Sequence, residues 1–395
     1  MFVLHLGTSG FPAGNNAVIQ RIKLTFKGLK YAGCNPLIIS KHSVYRNINA
    51  KRLGRYQGVP YIATSLILNR PENFLVRNLN RLSGYIGELL LLIKKRKKIH
   101  TVILSGNTFL ELVYYRTLSR LLNFKLILQY VEFYSDKKKI SLRPSDINVV
   151  LLDRYKYYFC DGIIVISEFL KNRSQSFRKS LPLIKIPAIC DFEEFTSINH
   201  IKQEEYLMYC GSLGYLPVIE FVIDLFCKLK EISAYNGKLL LALGGYGKLG
   251  EFNGVIKRID DSIYGKDIIL KTNVPHNELI KIYLGAELLI VPMRNYIRDI
   301  AGFHHKIGEY CAARKPIIST NYGELSYYFN DGISAILADE YTIDSYVDKL
   351  KTVLPHKDKL KMIAEGGFQV GSEKLNYLNN GTILREFILE LRQKM

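Results

Sequence analysis

Short apolar runs alternate with longer amphipathic stretches along most of the 395 residues. "FVLHLG", residues 2–7, is an apolar run that ends in a loop rich in Gly, Pro and Asn. "NAVIQRIKLTFKGLKYAG" then repeats apolar residues at helical spacing as far as Gly33. "NPLIISK" follows as a second strand, and further strands are predicted at "TVILSG", "KLILQYV" and "GIIVIS". Helices fit between them in "GNTFLELVYYRTLSRLL" and "DINVVLLDRYKYYFC". This β–α–β rhythm predicts an α/β fold with a parallel, doubly wound sheet. "LPLIKIPAICDFEEFTSINHIKQEE", rich in Pro and charge, reads as an interdomain linker. The rhythm then restarts with "YLMYCGSLG", "KLLLALGG", "DIILKTNV", "AELLIVPM", "KPIISTN" and "SAILAD". The expected division is a first domain over 1–190, a linker over 191–205 and a second domain of the same type over 206–373. A closing helix over 374–395 would pack back on the first domain. Two such domains around a linker create a cleft, and ligands of such sheets sit at the carboxyl ends of the strands.

Composition agrees with sizeable cores. The chain is 48% hydrophobic, with 27 Tyr, 19 Phe and no Trp, and it is too long for one ordinary core. Its six cysteines show no C-x-x-C pair and no metal-ligand rhythm, which suits reduced thiols in a cytosolic protein. The opening "MFVLHLGTSGFPAG" lacks a basic leader segment and reads as a first strand, not a signal peptide. "YIGELLLLI" is too short to span a bilayer and contains Glu88.

Charge changes the picture. Residues 1–200 hold 31 of the 55 Lys and Arg but only 12 of the 36 Asp and Glu, so the whole net charge of +19 lies there. No acid precedes Glu72. That half is expected to face a polyanion: membrane phospholipid, nucleic acid or a phosphorylated substrate. The run Lys94, Lys95, Arg96, Lys97 and Lys98 follows an apolar segment. On a helix it would lie on an anionic bilayer, each basic residue adding about 1 kcal/mol, or else form the solvated end of a sheet-covering helix. A second run spans Lys137–Lys139. Aromatic and basic residues are not interleaved as in a recognised nucleic-acid module, so no nucleic-acid partner is expected.

Two glycine loops carry candidate chemistry. In "GTSGFPAGNNA", between the first strand and helix, Gly10, Gly14 and Asn15 would cap a phosphate, or simply connect strand to helix with an Asn cap. "GGYGKLG", residues 244–250, contains a literal G-x-G-x-x-G. A dinucleotide site also needs an acid at the end of the next strand, but "DIILKTNV" ends in Lys271 and Thr272, with Asp267 at its start. Gly245 is therefore expected beside some other nucleotide. The chain has no G-x-S-x-G, H-E-x-x-H, P-loop or D-x-D motif. His304 and His305 have no further ligand at helical spacing, so neither metal nor cofactor is expected.

"FHHKIGEYCAARKPIIST", residues 303–320, continues into "NYGELSYYFNDGISAIL", and together they resemble the donor-binding segment of the GT-B glycosyltransferases of family 4. "GTSGFPAGNNAVIQRI", "DGIIVISEFLKNR", "IPAICDFEEF", "YCGSLG" and "NVPHNELIKIYLGAELLIVPM" add matches in the same order over roughly residues 2–350. The resemblance implies the GT-B fold: two Rossmann-like, doubly wound domains facing a cleft. It implies a nucleotide-sugar donor on the second domain and an acceptor mainly on the first. Transfer would retain anomeric configuration and need no metal.

Glu309 would accept hydrogen bonds from a ribose diol, and Lys306 would place an ammonium on the diphosphate, offsetting charge that grows on the leaving group. Read without the resemblance, the two form an i,i+3 ion pair. Other implied donor contacts are Gly211, Ser212, Gly245, Val274, Arg294 and His304. Glu132, after "KLILQYV", is the candidate catalytic group on the acceptor side. Two departures stand out. A second glutamate, separated from Glu309 by seven residues on its N-terminal side, is common in the family, and here the corresponding position is Ala301, with Asp299 as a shifted substitute. The lysine-glycine usual after "GSL" is also missing, so phosphate would fall to Lys306, Arg294, Arg298 or loop amides.

The reading is a retaining hexosyltransferase acting on a lipid-linked or polysaccharide acceptor of the cell envelope, cytoplasmic and peripheral on the inner membrane face. The alternatives are a nucleotide-sugar epimerase of the same architecture and a donor-binding protein with weakened activity.

Overall fold

The computed structural model describes residues 1–393 apart from 14–16, 47, 50, 107, 134–142, 199–200, 202 and 246–248. The chain divides into two compact units, one formed by Met1–Ile189 with Tyr377–Met395 and the other by Cys190–Asn376.

The first unit is built on eight strands: β1 (Phe2–Thr8), β2 (Asn35–Ser40), β3 (Leu53–Tyr56), β4 (Val59–Ala63), β5 (Thr101–Leu104), β6 (Lys125–Tyr130), β7 (Gly162–Val165) and β8 (Leu183–Lys185). They lie in the order β3-β4-β2-β1-β5-β6-β7-β8, parallel except for the β3–β4 pair. The inner strands are buried along nearly their whole length, as expected of a sheet covered by helices on both faces. Two pieces were not anticipated. The β3–β4 hairpin turns at Gln57 and Gly58, both at positive φ, but the dipeptide is not one of the strong hairpin signals. β8 and a short helix, Glu193–Thr196, lie inside the stretch read as linker, and β8 pairs in parallel with β7. Its "LPLIKI" is apolar enough to extend the sheet, and proximity to Pro hid this.

The helix Tyr377–Gln393 packs on the helix Ala17–Tyr31 of the first unit. The crossing is glycine on glycine: a Cβ at Gly381 would overlap the backbone of Gly28. Tyr377, Leu384, Phe387, Ile388 and Leu391 fill the same core as Ile19, Ile22 and Phe26.

The second unit has six parallel strands: β9 (Tyr206–Ser212), β10 (Lys238–Gly244), β11 (Ile268–Thr272), β12 (Leu288–Ile290), β13 (Ile317–Thr320) and β14 (Ile336–Ala338). Their order is β11-β10-β9-β12-β13-β14. Order reverses at β9, flanked by β10 and β12, and this is where a doubly wound sheet opens a crevice at its carboxyl edge.

Candidate functional site

The second unit holds most of the expected donor contacts, several of them at the carboxyl edge of its sheet. Gly211 and Ser212 end β9, and Ser212 is in register with Gly244 at the end of β10. Gly245 follows at φ +92°, a backbone state that other residues rarely adopt. Its N–H donates to Asn273 Oδ1 at 3.3 Å, tying the loop after β10 to the loop after β11. The Ser212 Oγ accepts from Gly214 N at 3.3 Å. Val274, next to Asn273, is half-buried.

The helix His305–Ala312 follows β12 and its loop. Glu309 sits in its middle, not at its start. Tyr310, wholly buried, accepts a hydrogen bond from Cys210 N at 3.1 Å through its hydroxyl, which pins the helix to the end of β9. Lys306 and Glu309 therefore stand on a helix pinned at Cys210, the residue before Gly211. Lys306 Nζ donates to Glu309 Oε2 at 3.0 Å, and Tyr283 OH donates to the same oxygen at 3.1 Å. Among the described residues nothing donates to Oε1. The Glu309 side chain is 16% exposed and that of Lys306 30%, so this is not a solvated surface pair.

Burial pushes the Glu309 carboxyl up, but Lys306, His276 and the Tyr283 hydroxyl outweigh it and hold the group below the usual carboxylate range. The Lys306 ammonium is destabilised by burial and more than compensated by Glu309, so it is held above the usual lysine range. Both groups are ionised at neutral pH. Tyr283 sits between Phe195, stacked at 6.5 Å, and Tyr310, edge-on at 5.2 Å. Burial and the neighbouring carboxylate keep its hydroxyl protonated and thus a donor. His276, whose Nε2 lies 3.0 Å from Glu194 Oε2, completes this polar group.

Arg294 is largely committed elsewhere. Its Nε and Nη2 fork onto Asp299 at 2.7 and 3.1 Å, with the guanidinium 4.9 Å from the centre of the Tyr296 ring. Asp299, the substitute considered for the missing family glutamate, is thus engaged by an arginine. Ala301 is wholly buried. His304 occupies the N-cap position of the helix and is exposed.

Other expected residues lie apart. Gly10 belongs to the first unit, where its N–H donates to His42 O at 2.8 Å. Gly14, Asn15 and Lys137–Lys139 lie outside the described residues. Glu132 is exposed just past β6. Lys94 and Lys95 end the helix Phe74–Lys95, Arg96 caps it, and all of the run but the half-buried Lys95 is exposed. Tyr283, His276 and Glu194 were not found from the sequence. Tyr283 is one of 27 tyrosines and stands 26 residues before Glu309, so no spacing rule linked the two.

Residues 191–370 match the family model of glycosyl transferases group 1. The matched segment contains Tyr283, Lys306 and Glu309. No curated protein matches the sequence. Solved structures match over nearly the entire length. The sucrose-phosphate synthase of Thermosynechococcus elongatus is 14% identical, with 100% of this chain and 99% of that one covered at a TM-score of 0.76. A glycosyltransferase from Rickettsia africae is 14% identical over 100% of this chain and 99% of that one, at 0.71. HepE of Anabaena, solved with UDP, is 14% identical over 99% of this chain and 100% of that one, at 0.70. At such identity the likeness is one of fold: two parallel α/β units of GT-B type.

Proposed function

We propose that this chain is a retaining, metal-independent glycosyltransferase of family 4 that moves a sugar from a nucleotide donor to a lipid-linked or polysaccharide acceptor. The observation that carries the proposal is the Glu309 carboxylate. It is ionised and fixed through Oε2 by Lys306 and Tyr283, and among the described residues Oε1 has no donor. A carboxylate so placed accepts from a ribose hydroxyl, and the adjacent ammonium meets the diphosphate. HepE is solved with UDP, with UDP and glucose, and with UDP-glucose; the starch synthase IV domain of Arabidopsis is solved with ADP and acarbose. A nucleoside diphosphate at the group 1 segment fits that company.

In the reaction, the bond from the anomeric carbon to the leaving phosphate oxygen breaks, and a bond to the acceptor oxygen forms on the same face. The acceptor proton passes to the leaving phosphate oxygen. Lys306 stabilises the charge that develops on the diphosphate, and the protein otherwise positions the two substrates. Glu132 is assigned to the acceptor side. The basic first half, with Lys94–Lys98, supports a position at the inner face of the cell membrane.

A thermal-shift series with UDP, ADP, GDP and their sugars tests the donor. A ligand at a hundred times its Kd stabilises the native state by about 2.7 kcal/mol, or roughly 5–10 °C for a unit of this size. The expected result is one base class that shifts the melting temperature and whose sugar is transferred only with acceptor present. A chain that no nucleotide shifts would overturn the proposal, and an epimerised donor formed without acceptor would favour the epimerase reading.

A further inference from the structure

The helix Phe74–Lys95 is built inside out. Its buried residues are Asn80, Gly84, Glu88 and Leu92, one every fourth position. Asn80 exchanges hydrogen bonds with the backbone of Ile67, at 2.8 Å to its N and 2.9 Å to its O. A Cβ at Gly84 would overlap the Lys41 carbonyl, so the helix lies directly on the chain beneath it. Glu88 Oε1 accepts from Tyr115 OH at 2.8 Å. The inward ridge is therefore polar and small over three of its four positions.

The opposite face carries Leu75, Leu79, Leu82, Ile86, Leu90 and Ile93, spaced as one stripe of a 3.6-residue helix. They are 69, 67, 56, 50, 62 and 46% exposed. A helix of a water-soluble surface turns such a stripe inward, and an apolar band of this length left outside marks an interaction surface. Its C-terminal end is basic. Arg70, Arg77 and Arg81 at the N-terminal end instead line a small cavity with His42 and the inward-facing Asn80, on the side away from the stripe. Lys94, Arg96, Lys97 and Lys98 are exposed at the other end. The helix's one acid, Glu88, is buried. Among the described residues no helix is long and apolar enough to cross a membrane.

We infer that this helix lies in the headgroup layer of an anionic bilayer, with the apolar stripe inserted among acyl chains and the basic C-terminal end on lipid phosphates. The inference rests on the proposed membrane location and names the element and the face that dock. Charge decides the occupant. A second copy would offer no exposed acid of this helix to meet the basic run, because Glu88 is buried, whereas an anionic surface complements that run directly.

The chain has no tryptophan, which gives a clean reporter. Ile86→Trp in the full chain is mixed with vesicles of phosphatidylglycerol and phosphatidylcholine, or of phosphatidylcholine alone. With the mixed vesicles, emission should shift blue and be quenched by acyl-brominated lipid. A matching reporter at the 73% exposed Met362, Met362→Trp, should be quenched far less. The pair Leu79→Glu and Ile86→Glu should cut the vesicle partition coefficient at least tenfold while leaving the urea midpoint and the UDP thermal shift unchanged. Binding that survives this pair, or equal quenching at 86 and 362, overturns the stripe but leaves the membrane location standing on the basic runs. No binding to either vesicle overturns location and stripe together, whatever the nucleotide result. A stripe-dependent dimer in light scattering, without vesicle binding, assigns the face to a second copy and also overturns the inference.

Discussion

Glu309→Gln keeps the shape of the side chain and removes its charge. In the parent, Oε2 holds Lys306 and Tyr283 at 3.0 and 3.1 Å. Glutamine retains one oxygen for those donors and puts an NH2 where a ribose hydroxyl must donate. The fold should lose about 1–3 kcal/mol, because the largely buried Lys306 ammonium is left without its carboxylate. The ligand should lose a hydrogen bond to a charged acceptor, worth about 1.5–3 kcal/mol, which is roughly 10- to 150-fold in Kd. Titration calorimetry with UDP and ADP, beside urea unfolding of both proteins, separates the two effects. A variant that unfolds at the parental midpoint and binds within twofold of the parental Kd would refute the assignment of Glu309. A variant that fails to fold would be followed by Tyr283→Phe, which leaves the charge in place and should weaken binding only severalfold.

Three further outcomes can be measured directly. Burial pushes Glu88 up from 4.5 to about 7, against an opposing pull from Lys41. The native state then keeps a proton that the unfolded chain has lost, so stability falls as pH rises from about 4.5 to 7. Glu88→Gln should gain about 2–3 kcal/mol over the parent at pH 8 and nothing near pH 4.5; a loss at pH 8 in urea unfolding would count against this. Gly381→Ala forces a methyl into the backbone of Gly28 and should cost about 1–3 kcal/mol, read by calorimetry as a drop of roughly 2–12 °C in Tm; an unchanged transition sinks the packing argument. The Glu309 carboxyl lies below its usual value, so its contribution is present above the ordinary carboxylate pKa and lost as pH falls through the lower native one. UDP affinity should therefore hold at pH 5, and Lys306→Met should bring the acid loss to higher pH; a pH series of Kd in which that limb stays fixed would be the contrary result.

The strands and helices of both units were legible because their signals are local. Continuous apolar runs such as "KLLLAL" and helical repeats such as "AVIQRIKLTF" specify their element without reference to the rest of the chain. β8 and the β3–β4 hairpin escaped because each is held by a neighbouring strand and not by its own periodicity. Lys306 and Glu309 were legible from a segment resemblance, and their i,i+3 spacing put them on one helical face. Tyr283 was not, since only the packing of the helix His276–Gly285 brings its hydroxyl to the carboxylate. Arg294 had looked available for phosphate, and its fork onto Asp299 depends on how the short helix Ile297–Ala301 turns.

The sequence by itself determined which stretches are strand or helix, that all the excess positive charge sits in residues 1–200, and that an apolar, helix-compatible segment holding Glu88 runs into the basic stretch Lys94–Lys98. Tertiary structure alone decided which way that helix turns. Periodicity fixes which residues share a face, but it cannot say whether that face meets the core. Here the contact through Gly84 and the hydrogen bonds of Asn80 and Glu88 commit the opposite ridge inward, and the leucines are left outside.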